Sequence, residues 1–339
     1  MPTLAPLGAV FAGGARWTTL VGDVRETLRA LPDASVQCVV TSPPYWGLRD
    51  YGVAGQIGRE ATPEAYVESL VGVFREVRRV LTRDGTLWLN LGDVYANDGK
   101  SGGRTSGKHG RRLGSDAAGV ERKKRTTGLP PKSLIGLPWR VAFALQADGW
   151  ILRSEIIWAK PNPLPEPVLD RPTRAHEHVF LFSKESRYFY NADAIREPMV
   201  AGSNGSRFDT GKTRAGSEQI RPVGRGERVD NPNGRNARDV WSIVHEGSGV
   251  AHFATMPAEI ARRAISAGSR RGDVVLDPFG GSGTTARVAL EEGRRAILCE
   301  LNQEYIGLQR ERLAPVDTDA AEPIKAPSAD FGPLFGQRG

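Results

Sequence analysis

The sequence predicts an α/β fold, a mostly parallel sheet with helices on both faces. Short apolar runs alternate with segments of helical periodicity along most of the chain, and that alternation builds parallel sheets. Two runs end abruptly in loops, Thr41-Ser42-Pro43-Pro44-Tyr45-Trp46 and Asp277 to Thr285. In open α/β sheets the carboxyl ends of strands carry the ligand sites, so these loops mark where function sits.

The elements follow in order. Residues 1–14 read as a flexible N-terminus, without the basic start and long apolar core of a signal peptide. Trp17 to Gly22 is a short strand, and Asp23 with Glu26 starts a capped helix that runs to Leu31. Val36 to Val40 is a buried strand that stops in two prolines, which fix φ and remove two N–H donors. Thr62-Pro63 opens a helix whose apolar face is Tyr66, Leu70, Phe74, Val77 and Leu81, and Asp84-Gly85 ends it. Thr86 to Leu91 is the next buried strand. Pro138 to Ala147 is a helix, followed by strand candidates Trp150 to Trp158 and His178 to Ser183. A helix is expected over Thr255 to Gly268, then a strand at Val274 to Leu276. After the glycine loop come a helix to Glu292, a strand at Ala296 to Cys299 and a helix at Gln303 to Leu313. Residues 314–339 read as a disordered tail.

Composition narrows the partners. The 339-residue chain carries a formal charge of +7, which favours a polyanionic partner. Apolar residues nearly vanish from 97–131, where Lys123-Lys124-Arg125 forms a basic cluster, and again from 200–238, which contains Arg221 and Arg225. The first reads as a mobile loop inserted between core elements, and both are candidate DNA-contacting inserts. Cys38 and Cys299 lie in apolar runs and read as buried free thiols, which suits a reducing cytoplasm. No apolar run reaches membrane-spanning length.

The glycine loop lets backbone approach a ligand closely at a helix N-terminus. It lacks the Gly-Lys-Ser/Thr of a phosphate loop and the three-glycine dinucleotide pattern. Glu300 ends the next strand, where a carboxylate can take both hydroxyls of a ribose. A nucleoside without phosphates fits this pair, and S-adenosylmethionine (SAM) is the obvious one. Asp23 either accepts from an adenine amino group or simply caps its helix. In the first loop, Ser42 Oγ and the Pro43 carbonyl can accept protons from an exocyclic amine and localise its lone pair. Tyr45 offers a face for an extruded base, and Trp46 is expected to line the same pocket.

With these motifs the chain resembles the SAM-dependent DNA amino-methyltransferases. Thr41 to Trp46 matches the catalytic motif (Ser42, Pro43, Pro44, Tyr45 and Trp46) and Asp277 to Thr285 the SAM motif. Gly22-Asp23, Glu300 and His252-Phe253-Ala254-Thr255-Met256-Pro257 support the match. The catalytic motif precedes the SAM motif, the permuted order of the family's β group. The resemblance implies a Rossmann-like seven-stranded sheet with a reversed hairpin and a catalytic core in 15–160 and 241–313. It implies target recognition near 161–240, helped by 97–131. It also implies SAM contacts from Asp23, Thr41, His252, Phe253, Thr255, Asp277, Phe279, Gly281, Ser282, Gly283, Thr284 and Glu300. Double-stranded DNA is the expected partner and a cognate restriction endonuclease a further one. The assembly is expected to be a monomer or homodimer.

Neither cysteine follows a proline, so C5-cytosine methylation through a Pro-Cys thiolate is disfavoured. Family members with Ser before Pro-Pro-Tyr mostly modify cytosine N4 and those with Asp adenine N6, so Ser42 points to cytosine N4, with adenine N6 the alternative. A non-catalytic nucleic-acid-binding protein and an RNA or protein methyltransferase fit less well, because both motifs are whole and in the permuted order. Lys160, Arg171 and Arg174 are candidates for holding DNA phosphates. His176 and His178 share a strand face without a third metal ligand at sensible spacing, so no metal is expected. Asp93 either lines the cleft or caps a helix.

Overall fold

The computed structural model describes residues 5–48, 52–96, 126–198, 234–245, 256–316 and 324–325. The helices are α1 (Ala5–Ala12), α2 (Val24–Thr27), α3 (Pro63–Val80), α4 (Leu137–Ala147), α5 (Ala258–Gly268), α6 (Thr284–Glu291) and α7 (Glu304–Leu313). The strands are β1 (Trp17–Val21), β2 (Val36–Thr41), β3 (Leu81–Leu91), β4 (Ile151–Ala159) and β5 (His176–Ser183), then β6 (Val240–Ser242), β7 (Val274–Asp277), β8 (Arg295–Glu300) and β9 (Ile324–Lys325).

Among the described residues, nine strands form one sheet in the order β6-β4-β5-β3-β2-β7-β8-β1-β9. Only β5 runs against its neighbours, antiparallel to both β3 and β4. The implied reversed hairpin is therefore present. The count of seven is exceeded by two short edge strands, β6 on β4 and β9 on β1. Helices cover both faces. Leu7 and Val10 of α1, Leu70 and Phe74 of α3, and Val141 and Leu145 of α4 fill the core on one side. Ile260 and Ile265 of α5, Val288 of α6 and Leu313 of α7 fill the other.

Strand pleating sorts neighbours between these cores. Along β8, Ile297 and Cys299 face the first core while Ala296 and Leu298 face the second. Trp88 crosses into the second core and stacks on Trp241 at 6.2 Å, tying β3 to the edge strand β6.

The boundaries differ from expectation in several places. Residues 5–12, expected to be flexible, form a helix: Leu7 and Val10 are buried, and Arg295 Nη1 donates to the carbonyls of Val10 and Phe11 at 2.8 Å. The helix expected to end at Asp84-Gly85 stops at Val80, and Leu81 already pairs with Val36. The register shifts before Cys38 pairs with Thr86, so Asp84-Gly85 lies in an irregular part of a longer strand. Helix α5 begins at Ala258 because Pro257 supplies its cap position. The span 161–240 contains β5, a core strand, so any recognition region there is threaded through the sheet. Of the expected tail, Ile324–Lys325 pairs with Leu20 and Val21, and residues 317–323 and 326–339 lie outside the described residues.

β2 leads through α3 to β3 on one side, and β7 leads through α6 to β8 on the other. Their adjacency makes the boundary between β2 and β7 the point where strand order reverses, the usual place for a ligand crevice.

Candidate active site

A cleft of about 940 Å³ opens at this reversal, lined by the carboxyl-terminal loops of β1, β2, β3, β7 and β8. It brings together the two sequence motifs. Thr41 Oγ1 donates to Asp277 Oδ1 at 2.6 Å across 236 residues of sequence, and Thr285 Oγ1 donates to Oδ2 at 2.7 Å. Phe279 N donates to Asp277 Oδ1 at 3.0 Å, so this carboxylate fixes the loop that follows its own strand. Burial raises the Asp277 pKa above its ordinary value, against the pull of these three donors.

Glu300 lines the same side of the cleft as the glycine loop. Its Oε2 accepts Gly281 N at 2.7 Å and its Oε1 accepts Asn302 N at 2.8 Å. Burial pushes its pKa up to about 7. Gly281 lines the cleft at φ +49°, and no heavy atom comes closer than 3.9 Å to the place its Cβ would take. A buried carboxylate beside an open glycine turn, with Phe279 and Met256 for apolar contact, suits a nucleoside with an uncharged sugar. The residues therefore fit SAM. Ser282 and Thr284 line the same wall, where Arg312 Nη1 donates to both hydroxyls. Gly283 does not line the cleft. Its φ of +84° forms the cap of α6, and a Cβ there would fall 3.3 Å from Gln309 Cγ. Asp23 lines the cleft and also caps α2 by accepting from Arg25 N at 2.9 Å. Thr41 is fully buried, does not line the cleft, and donates a hydrogen bond to Asp277. His252, Phe253 and Thr255 lie outside the described residues.

The proline loop forms the opposite wall through Ser42, Pro43, Pro44 and Tyr45. Trp46 does not reach the cleft. It is 3% exposed in the core, and its indole N–H donates to the Glu60 carbonyl at 2.9 Å. The Tyr66 hydroxyl donates to the Pro44 carbonyl at 3.0 Å, so α3 clamps the loop from below. Tyr45 packs over Gly92, where a Cβ would fall 2.6 Å from the ring.

Two residues that sequence reasoning missed complete this wall. Tyr45 Oη donates to Glu177 Oε2 at 2.6 Å, and Asn90 Nδ2 donates to Tyr45 Oη at 3.0 Å and to Glu177 Oε2 at 3.2 Å. Ser42 Oγ lies 3.3 Å from Tyr45 Oη and 3.4 Å from Asn90 Nδ2. Burial first, and Glu177 second, raise the Tyr45 pKa well above its ordinary value, so the phenol stays a donor. Asn90 is a polar side chain inside an apolar strand run, TLWLNL, and that interruption is the signal that could have found it, whereas Glu177 sits between two histidines ahead of its apolar run and carries no such signal.

The three phosphate candidates are already engaged. Lys160 lines the cleft, pairs with Glu177 and lies 4.4 Å over the Trp158 ring. Arg171 pairs with Glu166 at 2.6 Å and stacks 4.0 Å over Tyr95. Arg174 lines the cleft and donates to the Asp93 carbonyl. The Asp93 carboxylate accepts from Gly136 N and Leu137 N at 3.0 Å, so it caps α4 while also lining the cleft. His178 Nδ1 sits 2.6 Å from Glu155 Oε1, and among the described residues no cluster could hold a metal. Lys123, Lys124, Arg125, Arg221 and Arg225 lie outside the described residues.

Comparison with known proteins agrees with this geometry. A family model described as DNA methylase matches residues 36–311. The type II methyltransferase M.XycI of Xanthomonas campestris pv. cyanopsidis is 46% identical over 87% of this chain and 87% of its own. M.SmaI of Serratia marcescens is 46% identical over 87% and 89%. Among solved structures, a putative DNA modification methylase of Thermus thermophilus, crystallised with S-adenosyl-L-methionine, is 27% identical. That likeness has a TM-score of 0.55 and covers 92% of this chain and 99% of that one. The chain belongs to the N6/N4 family of DNA methylases, SAM-dependent enzymes that methylate exocyclic amino groups in DNA.

Proposed function

We propose that this chain is a cytosine-N4 DNA methyltransferase, the protective half of a type II restriction–modification system with a cognate endonuclease. The observation that carries the base assignment is Ser42, a neutral hydroxyl before Pro-Pro-Tyr where adenine-modifying relatives mostly have Asp. The similarity to type II methyltransferases supports the biological setting. Asp23, Asp277, Phe279, Gly281, Ser282, Thr284 and Glu300 would hold SAM, with Glu300 accepting from the ribose hydroxyls. SAM bound there supplies an electrophilic methyl group.

This chain's residues prepare the acceptor. Tyr45 gives the extruded base a stacking face, its ring fixed by Glu177, Asn90 and the close approach of Gly92. Ser42 Oγ and the Pro43 carbonyl would accept hydrogen bonds from the amine N–H groups, which localises the nitrogen lone pair and disperses positive charge as the N–C bond forms in place of the donor's S–C bond, the surplus amine proton then leaving to solvent. The Pro44 carbonyl is not available for this, being held by Tyr66. A C5 mechanism finds no nucleophile. Burial pushes both the Cys38 and the Cys299 thiol up to about 12. Target recognition is assigned to the segments within 161–240 that leave the sheet, helped by 97–131.

The test is to incubate the protein with SAM and unmethylated DNA, digest to nucleosides and identify the product by mass spectrometry. N4-methylcytosine is expected. N6-methyladenine would transfer the same site to adenine, and no methylated nucleoside would end the enzymatic reading.

A further inference from the structure

Leu164 is 86% exposed and Leu169 103%, the two most exposed large apolar side chains among the described residues. Both lie on the link from β4 to β5, Lys160-Pro161-Asn162-Pro163-Leu164-Pro165-Glu166-Pro167-Val168-Leu169. Four prolines at alternate positions fix φ along this link and push each preceding residue to extended geometry. The link is also pinned on both sides of Leu164. Asn162 Nδ2 donates to the His245 carbonyl at 3.3 Å, and Asn162 Oδ1 accepts His245 N at 3.0 Å. Glu166 Oε2 accepts Arg171 Nη1 at 2.6 Å and Arg174 N at 3.4 Å. Between these anchors Leu164 stands at the rim of the cleft, whose lining it joins, whereas Leu169 does not.

A stiff frame that holds a branched apolar side chain out in water forfeits its burial unless a partner covers it. The partner at this rim is duplex DNA, because the cleft below takes the target base. Extruding a base leaves a gap in the stack, and an apolar side chain entering that gap offsets the lost stacking. A leucine between two proline rings reaches into such a gap with little conformational freedom to lose. We propose that Leu164 is the wedge that enters the duplex at the position vacated by the flipped base, an inference that rests on the reading of the Ser42–Tyr45 wall as the base pocket.

The test uses the duplex that the wild-type protein methylates, built in two forms: target base paired, and target base opposite an abasic site. Leu164→Ala is expected to slow single-turnover methylation of the paired duplex by about tenfold or more and the abasic form several-fold less, because the base there is unpaired and costs less to extrude. A second readout needs no cofactor. With 2-aminopurine in place of the target base, the fluorescence rise on binding wild-type protein is expected to be lost with Leu164→Ala and kept with Leu169→Ala. Equal slowing on both duplexes, no slowing on either, or the same pattern from Leu48→Ala, a cleft-lining leucine that is 58% exposed, would overturn the assignment. If the wild type gave no 2-aminopurine signal and methylated both duplexes alike, the base-extrusion reading itself would fall, and the wedge with it. Should the modified nucleoside be adenine, the same pair of duplexes built at that adenine tests the wedge independently of the base assignment.

Discussion

Glu300 shows how one residue carries two opposite pH dependences. Burial raises its pKa from 4.5 to about 7, so between those values the folded protein keeps a proton that the unfolded chain has shed. Its contribution to stability is complete below pH 4.5 and is lost as pH rises through about 7. SAM affinity should run the other way, tightening through about pH 7 as the carboxylate becomes an acceptor for the ribose. Calorimetric titration of the wild type and Glu300→Gln on both sides of neutrality checks this, and a dissociation constant flat with pH in the wild type would remove Glu300 from the ribose. On the opposite wall, Ser42 lines the cleft and is proposed to face the amine. Ser42→Ala should lower kcat by roughly a hundredfold, the scale of losing one preorganised hydrogen bond to developing charge, while leaving SAM affinity near wild type. A collapse of SAM binding in that variant would place Ser42 on the wrong side of the cleft. Glu177 and Asn90 belong to the same scale: each is one side chain, yet together they decide where the Tyr45 ring sits.

At the scale of elements, the site depends on β2 and β7 meeting in the middle of the sheet, and α5 packs across β2 and its other neighbour β3. Its last residue, Gly268, has no room for a side chain. A Cβ there would lie 2.6 Å from Thr86 Oγ1, 2.8 Å from Trp88 Nε1 and 2.9 Å from Cys38 Sγ. Gly268→Ala should therefore destabilise the fold by roughly 1–3 kcal/mol, the usual cost of overpacking, seen as a lower urea midpoint at unchanged slope. An unchanged midpoint would mean that α5 slides freely on the sheet. Most element boundaries were legible because capping and apolar spacing are local: Thr62 accepts from Ala65 N at 3.2 Å just where Thr62-Pro63 promises a helix start. The end of α3 was not. Asp84-Gly85 carries a turn signature, but pairing of Leu81 with Val36 is a long-range interaction that overrides it. The N-terminal helix was missed for the same reason, since Leu7 and Val10 are fixed by packing and by Arg295 from the far end of the chain.

Over the whole molecule, an excess of Lys and Arg bears on association with polyanions rather than on fold. Changing Lys123, Lys124 and Arg125 to Ala should weaken binding to any duplex and reduce the salt slope by up to about 3 units, roughly 0.9 for each phosphate that is no longer neutralised. Filter binding across a salt series measures it, and a lowered melting temperature with an unchanged slope would assign those residues to the fold instead. Among the described residues no helix is long and apolar enough to cross a membrane.

The sequence by itself determined the α/β class, the two motifs and their permuted order, because each is written in a short stretch whose chemistry is local: two prolines after an apolar run, a glycine turn before a helix. Only the tertiary structure decided which side chains share a wall. Trp46 was expected in the pocket and lies in the core, Lys160 lines the cleft and pairs there with Glu177, and Asn90 and Glu177 reach Tyr45 across 45 and 132 residues of chain. The physical reason is that the side-chain direction of a loop residue, and the company it keeps, are set by strand order. Strand order depends on long-range pairing that no local pattern encodes.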